Sequence, residues 1–328
     1  MKYPIGIQNF EKIITSGYVY VDKTALIYRL VTEGNIYFLS RPRRFGKSLL
    51  VSTLEAYFKG KKDLFKGLAI DELEKEWTEH PVFHIDFNGE NYTLPGKLEE
   101  KIMGAVETWE AEYGRDPYKK ALGDRFIYVL AQAAKKHGRR AVVLIDEYDK
   151  PIVDNLGNPE LADDFKKTLQ GFYSVLKAKD GQIRFGFLTG VSKIGKLSVF
   201  SGLNNLRDIS MLPEYSDICG ISENDLHKYF DESVAELANS NQFSKDECYS
   251  KLKNMYDGYH FSEESVGMYN PFSLLNTFSS NRFREYWFET GTPTLLVNVM
   301  KQTSFDVTTL SDVVVASDDL SGGKALCA

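Results

Sequence analysis

The chain has 328 residues, with 43% apolar and 26% charged side chains, the balance of an ordinary globular protein, which excludes disorder over most of its length. That length is long for one core, so a main domain and at least one smaller one are expected. Forty Lys and Arg against 46 Asp and Glu leave a net charge of −6, which excludes a surface that is basic throughout and leaves only a local basic groove for nucleic acid. Cys219, Cys248 and Cys327 are far apart, with no CxxC and no His at ligand spacing, so neither a disulfide framework nor a zinc site is expected. No stretch resembles a signal sequence or reaches the roughly 20 apolar residues that span a bilayer, so a cytoplasmic protein with no membrane partner is expected.

In chain order, residues 18–21 read as a short strand, and Asp22 is placed to cap a helix from Lys23 to about Val31. Residues 35–40 form an apolar strand, "SRPRRFGKS" follows, and Leu49, Leu50, Leu54 and Phe58 then fall on one helical face. "PVFHIDF" (81–87) is a second buried strand, and residues 94–113 and 117–137 carry helical periodicity. "AVVLIDEYDKPI" is an apolar run ending in acids, "DDFKKTLQGFYSVLKA" an amphipathic helix and "IRFGFLTG" another strand. Short strands alternating with helices predict an α/β fold, a parallel sheet sandwiched by helices. Beyond residue 214 helical periodicity dominates, with a Pro-started helix near "NPFSLLNTF" and another near "TPTLLVNVMKQ". The division expected is 1–214 for the sheet domain, 215–303 for a helical or winged-helix-like module, and 304–328 for a frayed or truncated tail.

The stretch "RPRRFGKS" contains most of a phosphate-binding loop, with Arg41 where the pattern GxxxxGK[ST] has its first glycine. A phosphate needs inward-facing amides, a mobile cation and a helix N-terminus. Gly46 allows close backbone approach, Lys47 can reach the β and γ phosphates, and the Ser48 hydroxyl can ligate Mg²⁺. Arg43 and Arg44 add positive charge, and Phe45 and Leu49 flank the contact. Pro42 fixes its own φ and restricts Arg41, so stiffness can stand in for glycine's freedom.

Hydrolysis also needs a carboxylate at the end of a buried strand for the metal shell and a second to polarise water. "VVLIDE" supplies Asp146 for the first and Glu147 for the second. Asp149 has two readings, a further metal ligand or an ion pair with Lys150, the structural one being favoured. Thr189 and Ser192, in "FLTGVSK", either sense the γ-phosphate and orient water or simply cap the strand. Lys193, Lys196 and Arg207 could neutralise developing charge, and the sequence does not choose among them.

The stretches "VDKTALIYRL", "FLSRPRRFGKSLL", "PVFHIDF", "LIDEYDKPI", "LTGVSKIGKLSVFSGLNNLRDIS", "YDGYHF", "YNPFSLLN" and "YWFETGTPTLL" occur in this order. With them the chain resembles the bacterial AAA-ATPase-like family from about residue 3 to about residue 300. The resemblance implies a P-loop ATPase of the AAA-related, additional-strand (ASCE) type with the acid pair on the strand beside the phosphate loop, and a helical and winged-helix region after it. It also implies that Arg41 is a family trait, that Gly46, Lys47 and Ser48 form the loop, and that Tyr18, Asp22, Lys23 and Thr24 pack near the base or brace the loop. Members usually continue into a PD-(D/E)xK nuclease domain, for which 304–328 is too short and lacks an ExK cluster, so no cleavage by this polypeptide is expected.

The function expected is a Mg²⁺-dependent ATPase that uses hydrolysis as a conformational switch. Two alternatives stand beside it. One is a nucleotide-gated adaptor or nucleic-acid-binding module with little turnover, motivated by "KKHGRR" and "RPRR". The other is the motor part of a DNA-processing or defence nuclease system. The resemblance favours ATP or ADP over guanine nucleotides, and the sequence has no NKxD-like guanine reader. A protein partner, nucleic acid and self-association are all compatible with it.

Overall fold

The computed structural model describes residues 1–193, 199–200, 205–262 and 265–286; the expected helix near "TPTLLVNVMKQ", Lys196 and the tail lie outside the described residues. The described chain forms two compact units that interleave along the sequence, one from 35–40 and 80–207, the other from 1–34, 41–79 and 208–286.

The first unit is built on a five-stranded sheet of β1 (Ile36–Ser40), β2 (Val82–Asp86), β3 (Ala141–Asp146), β4 (Ile183–Gly190) and β5 (Leu206–Asp208), in the order β2-β3-β4-β1-β5. The pairs β2–β3, β3–β4 and β4–β1 are parallel. β3 is buried at every position, as expected for a strand covered on both faces, whereas the edge strand β2 alternates. Among the flanking helices are α5 (Lys97–Tyr113), α6 (Leu122–His137) and α8 (Pro159–Ala178). Phe83, Trp109, Phe126 and Phe172 form a chain of ring contacts at centroid separations of 5.0–5.1 Å. Arg125 of α6 clasps Glu110 of α5 with two bonds of 2.8 and 2.7 Å, and these bonds hold the Glu110 carboxyl below its usual range.

The second unit contains α1 (Phe10–Thr15), α2 (Thr24–Glu33), α3 (Lys47–Phe58) and α4 (Ala69–Leu73). It also holds α9 (Glu223–Asn241), α10 (Lys245–Tyr256), α11 (Pro271–Ser280) and an antiparallel ribbon of β6 (Ile221–Ser222) with β7 (Met268–Tyr269). Capping boxes start α9 (Ser222 with Asp225) and α10 (Ser244 with Glu247), and Asn270 caps α11 ahead of Pro271. Leu226, Phe230, Leu252 and Leu274 make its core, and Tyr3, Val19 and Val21 from the N-terminal segment pack against it.

Several boundaries differ from expectation for visible reasons. Residues 18–21 are extended without forming a strand: the Val19 amide donates to the Lys2 carbonyl and the Asp22 amide to the Tyr229 hydroxyl, so no ladder forms. Asp22 does hold the start of α2, accepting from the Thr24 amide at 2.8 Å. α5 starts at Lys97, after Gly96 in the left-handed region, and α6 waits until Leu122, because Asp116 draws the Tyr118 and Lys119 amides into a turn. Among the described residues no helix is long and apolar enough to cross a membrane.

Candidate functional site

The phosphate loop lies in the second unit. Gly46 caps α3 at φ +94°, a conformation that other residues adopt only with strain, and a Cβ built on it would have no heavy atom within 4 Å. The first amides of α3 have no acceptor within their own helix, so its N-terminus presents donors and the positive end of a dipole. Lys47 is buried, its ammonium resting on the Arg41 and Pro42 carbonyls at 3.0 and 3.2 Å. A flexible cation resting on backbone carbonyls can swing to a phosphate, since the stem of Lys47 carries rotatable bonds. The Ser48 hydroxyl is partly exposed, and Leu49 is half-buried.

The side chains of three other loop residues are engaged with groups of the same unit. The Arg41 guanidinium is buried, donates to the Ser210 and Tyr215 carbonyls at 2.7 and 3.1 Å, and lies 3.9 Å above the Phe261 ring. Burial lowers its pKa to about 10, so it stays charged at neutral pH. Arg44, at φ +68°, stacks its guanidinium 5.1 Å from Phe272. The Phe45 ring sits in a cluster with Tyr259, Phe261 and Met268, and its carbonyl accepts from the Gly220 amide. Arg43 is half-buried. The resemblance gave Arg41 as a family trait without a role for its side chain; here that side chain is a buried anchor.

Beside Gly46 and Leu49 the same unit holds a cavity of about 100 Å³, walled largely by apolar groups such as Val19, Val21, Ile218, Pro271 and Leu275. Lys23 stands at its wall and pairs with Asp217 and Asp225. Burial raises the Asp217 carboxyl despite that pairing. Of Tyr18, Asp22, Lys23 and Thr24, expected near the base or the loop, Lys23 lines this cavity together with Val19, Tyr20 and Val21, and Tyr18, Asp22 and Thr24 do not. The "DICG" segment was not singled out in the sequence, and the start of α11 was read only as a helix start, because apolar residues in a loop or helix carry no mark that distinguishes a cavity wall from core.

The acids lie in the first unit. Asp146 ends β3 and is buried; Thr189, near the end of β4, donates its hydroxyl to Asp146. The same Thr189 oxygen accepts from the Glu147 amide at 3.2 Å. Glu147 is half-buried and sits at φ +55°, a left-handed conformation unusual for Glu. Asp149 is fully buried and does not form the expected ion pair with Lys150: it accepts from the amides of Val191 and Ser192, while Lys150 pairs with Asp154. The Ser192 hydroxyl is likewise given to Asp149, at 2.7 Å.

One expectation is corrected by the topology. The acid strand is not beside β1: β4 is inserted between them, so Thr189 faces Leu39 on one side and bonds Asp146 on the other. This inserted strand is what the additional-strand type implies. Taken unit by unit, the residues are of the kind a nucleotide and its metal use: in the second unit an apolar cavity adjoins a glycine-cornered helix N-terminus and the Ser48 hydroxyl, a hard oxygen donor of the kind Mg²⁺ takes, and in the first unit the Asp146 carboxylate is a donor of the same kind.

Residues 4–200 match the family described as "Predicted AAA-ATPase". A protein of Azotobacter chroococcum mcd 1, described as "Uncharacterized protein in vnfD 5'region", is 44% identical over 302 residues, which are 92% of this chain and 56% of that protein. The chain thus spans little more than half of that relative's length. With strand order, phosphate loop and family match in agreement, this chain belongs to the Predicted AAA-ATPase, or AAA-ATPase-like, family.

Proposed function

We propose that the chain binds ATP with Mg²⁺ and hydrolyses it, with the nucleotide state acting as a conformational switch. The observation that carries this reading is the position of Thr189. It stands opposite Leu39, two residues before Arg41 opens the phosphate loop, and its hydroxyl meets Asp146 on the other side. Since neighbouring strands are about 4.8 Å apart, the ends of β1 and β3 are separated by roughly 10 Å, a span that a triphosphate and its metal can bridge.

In this reading the base enters the cavity beside Gly46 and Leu49. The phosphates lie on the amides at the start of α3, and Lys47 leaves the Arg41 and Pro42 carbonyls to neutralise the β and γ oxygens. Arg43 adds field from the loop, and the Arg44 and Phe45 backbones contribute through their amides. Ser48 and Asp146 would hold Mg²⁺, which would supply charge neutralisation for the phosphate oxygens. Glu147 takes the proton from the attacking water. Thr189 orients Asp146, and Ser192 acts through the loop it helps to fix.

Phosphate release by purified protein tests the reading, with Lys47→Ala and Glu147→Gln measured alongside. Loss of a general base typically costs 10²–10⁴-fold in rate, so Glu147→Gln should retain nucleotide yet lose about that much turnover. Lys47→Ala should lose both binding and turnover. Wild-type turnover in both variants would reject the site.

A further inference from the structure

The loop after β3 is fastened to the end of β4 along its whole length. Asp146 meets the Thr189 hydroxyl, the Glu147 amide donates to that hydroxyl, and the Tyr148 amide donates to the Thr189 carbonyl at 2.8 Å. Asp149 then closes the row, with one carboxylate oxygen accepting from the Val191 amide at 3.1 Å, the Ser192 amide at 2.8 Å and the Ser192 hydroxyl at 2.7 Å.

This buried carboxylate serves nothing else nearby. It is the residue before α7 (Lys150–Val153), yet its side chain does not cap that helix. Among the described residues it pairs with no Lys or Arg. Gly190 is required beneath it, since a Cβ there would come within 2.6 Å of the Tyr148 ring and 2.8 Å of an Asp149 oxygen. Glu147, two residues upstream, is held in a left-handed conformation that an untethered loop would leave.

We propose that Asp149 is a positioning residue: by gripping the Val191 and Ser192 amides it clamps the acid loop to the end of β4, and so sets where the Glu147 carboxylate points. The inference rests on the hydrolytic reading, since position matters only if Glu147 acts on water. A misplaced base lowers the rate of the chemical step and leaves nucleotide affinity alone, because the phosphate loop and cavity lie in other segments.

A double-mutant cycle between Asp149 and Glu147, read by phosphate release at saturating ATP, tests this. Asp149→Ala should lower kcat by about tenfold or more with KM unchanged within about twofold. Asp149→Asn should keep most of kcat, because one amide oxygen can accept the same three bonds. In the Glu147→Gln background, Asp149→Ala should add no further loss. A kcat near wild type in Asp149→Ala, or an equal further loss in the Gln background, would overturn the inference.

If the Ala variant does not fold, hydrogen exchange on the intact wild-type chain carries the test. The Val191 and Ser192 amides should exchange slowly, and exchange at the rate of an open loop would overturn the clamp. Full turnover in Glu147→Gln alone would sink the hydrolytic reading, and this inference with it.

Discussion

A carboxylate surrounded by uncharged donors and no solvent costs free energy whenever it is ionised, and Asp149 is such a group. Burial, then the neighbouring Glu147 charge, push its pKa up to about 6, with the Ser192 and Val191 bonds pulling back. In the unfolded chain an aspartate titrates near 3.9. Between about pH 4 and 6 the folded chain therefore holds a proton that the unfolded chain has released, so this group's contribution to stability falls as pH rises through that window. Two pKa units correspond to about 3 kcal/mol, the order of magnitude of what ionisation costs here. Asp149→Asn removes that cost. It should be more stable than wild type at pH 8, by less than about 3 kcal/mol because the amide nitrogen faces the Val191 amide, with the difference gone by about pH 4. Urea midpoints at the two pH values check this, and a difference independent of pH would refute it. The sequence marked Asp149 as structural for a different reason, an ion pair with Lys150; its true partners lie 42 and 43 residues on, at the end of another strand.

The phosphate loop was legible as an element because everything that defines it is local: an apolar strand, a glycine, a lysine, a serine and a helical stripe in consecutive order. The acid strand was legible for the same reason, a run buried on both faces that ends in carboxylates. The order of strands was not, because nothing in β3 or β4 says which lies next to β1. Nor was the role of Arg41, whose acceptors are 169 and 174 residues away. Residues 18–21 were misread because alternating Val19 and Val21 fit an extended segment packed on helices as well as a strand. Arg41 gives an element-scale prediction against simple pattern restoration. Arg41→Gly writes the usual first glycine into the loop, yet it leaves the Ser210 and Tyr215 carbonyls without this donor and empties the space over Phe261. The expected result is a loss of about 2–4 kcal/mol, seen as a lower thermal midpoint, with Arg41→Lys intermediate. A midpoint at or above wild type would show that the anchor contributes nothing.

At the scale of the molecule, the interleaving of the two units has a consequence for how a nucleotide is felt. The phosphate loop shares a unit with the N-terminal segment and with everything described from 208 to 286, although these stretches are far apart in sequence. The cavity beside Gly46 draws its walls from all three, through Val19 and Val21, Leu49, Ile218 and Leu275. A ligand that binds only the folded state stabilises it by RT ln(1 + [L]/Kd), about 2.7 kcal/mol at a hundredfold excess, and local openings at its contacts are suppressed along with global ones. ATP with Mg²⁺ should therefore slow hydrogen exchange in 18–24, 41–50, 217–221 and 271–275 together, while the exposed face of α10 is unchanged. Lys47→Ala should weaken the response in all four at once, because they report one bound molecule. Protection confined to 41–50 would mean that phosphate is held without the base, and the cavity would then lose its assignment while the loop kept its own.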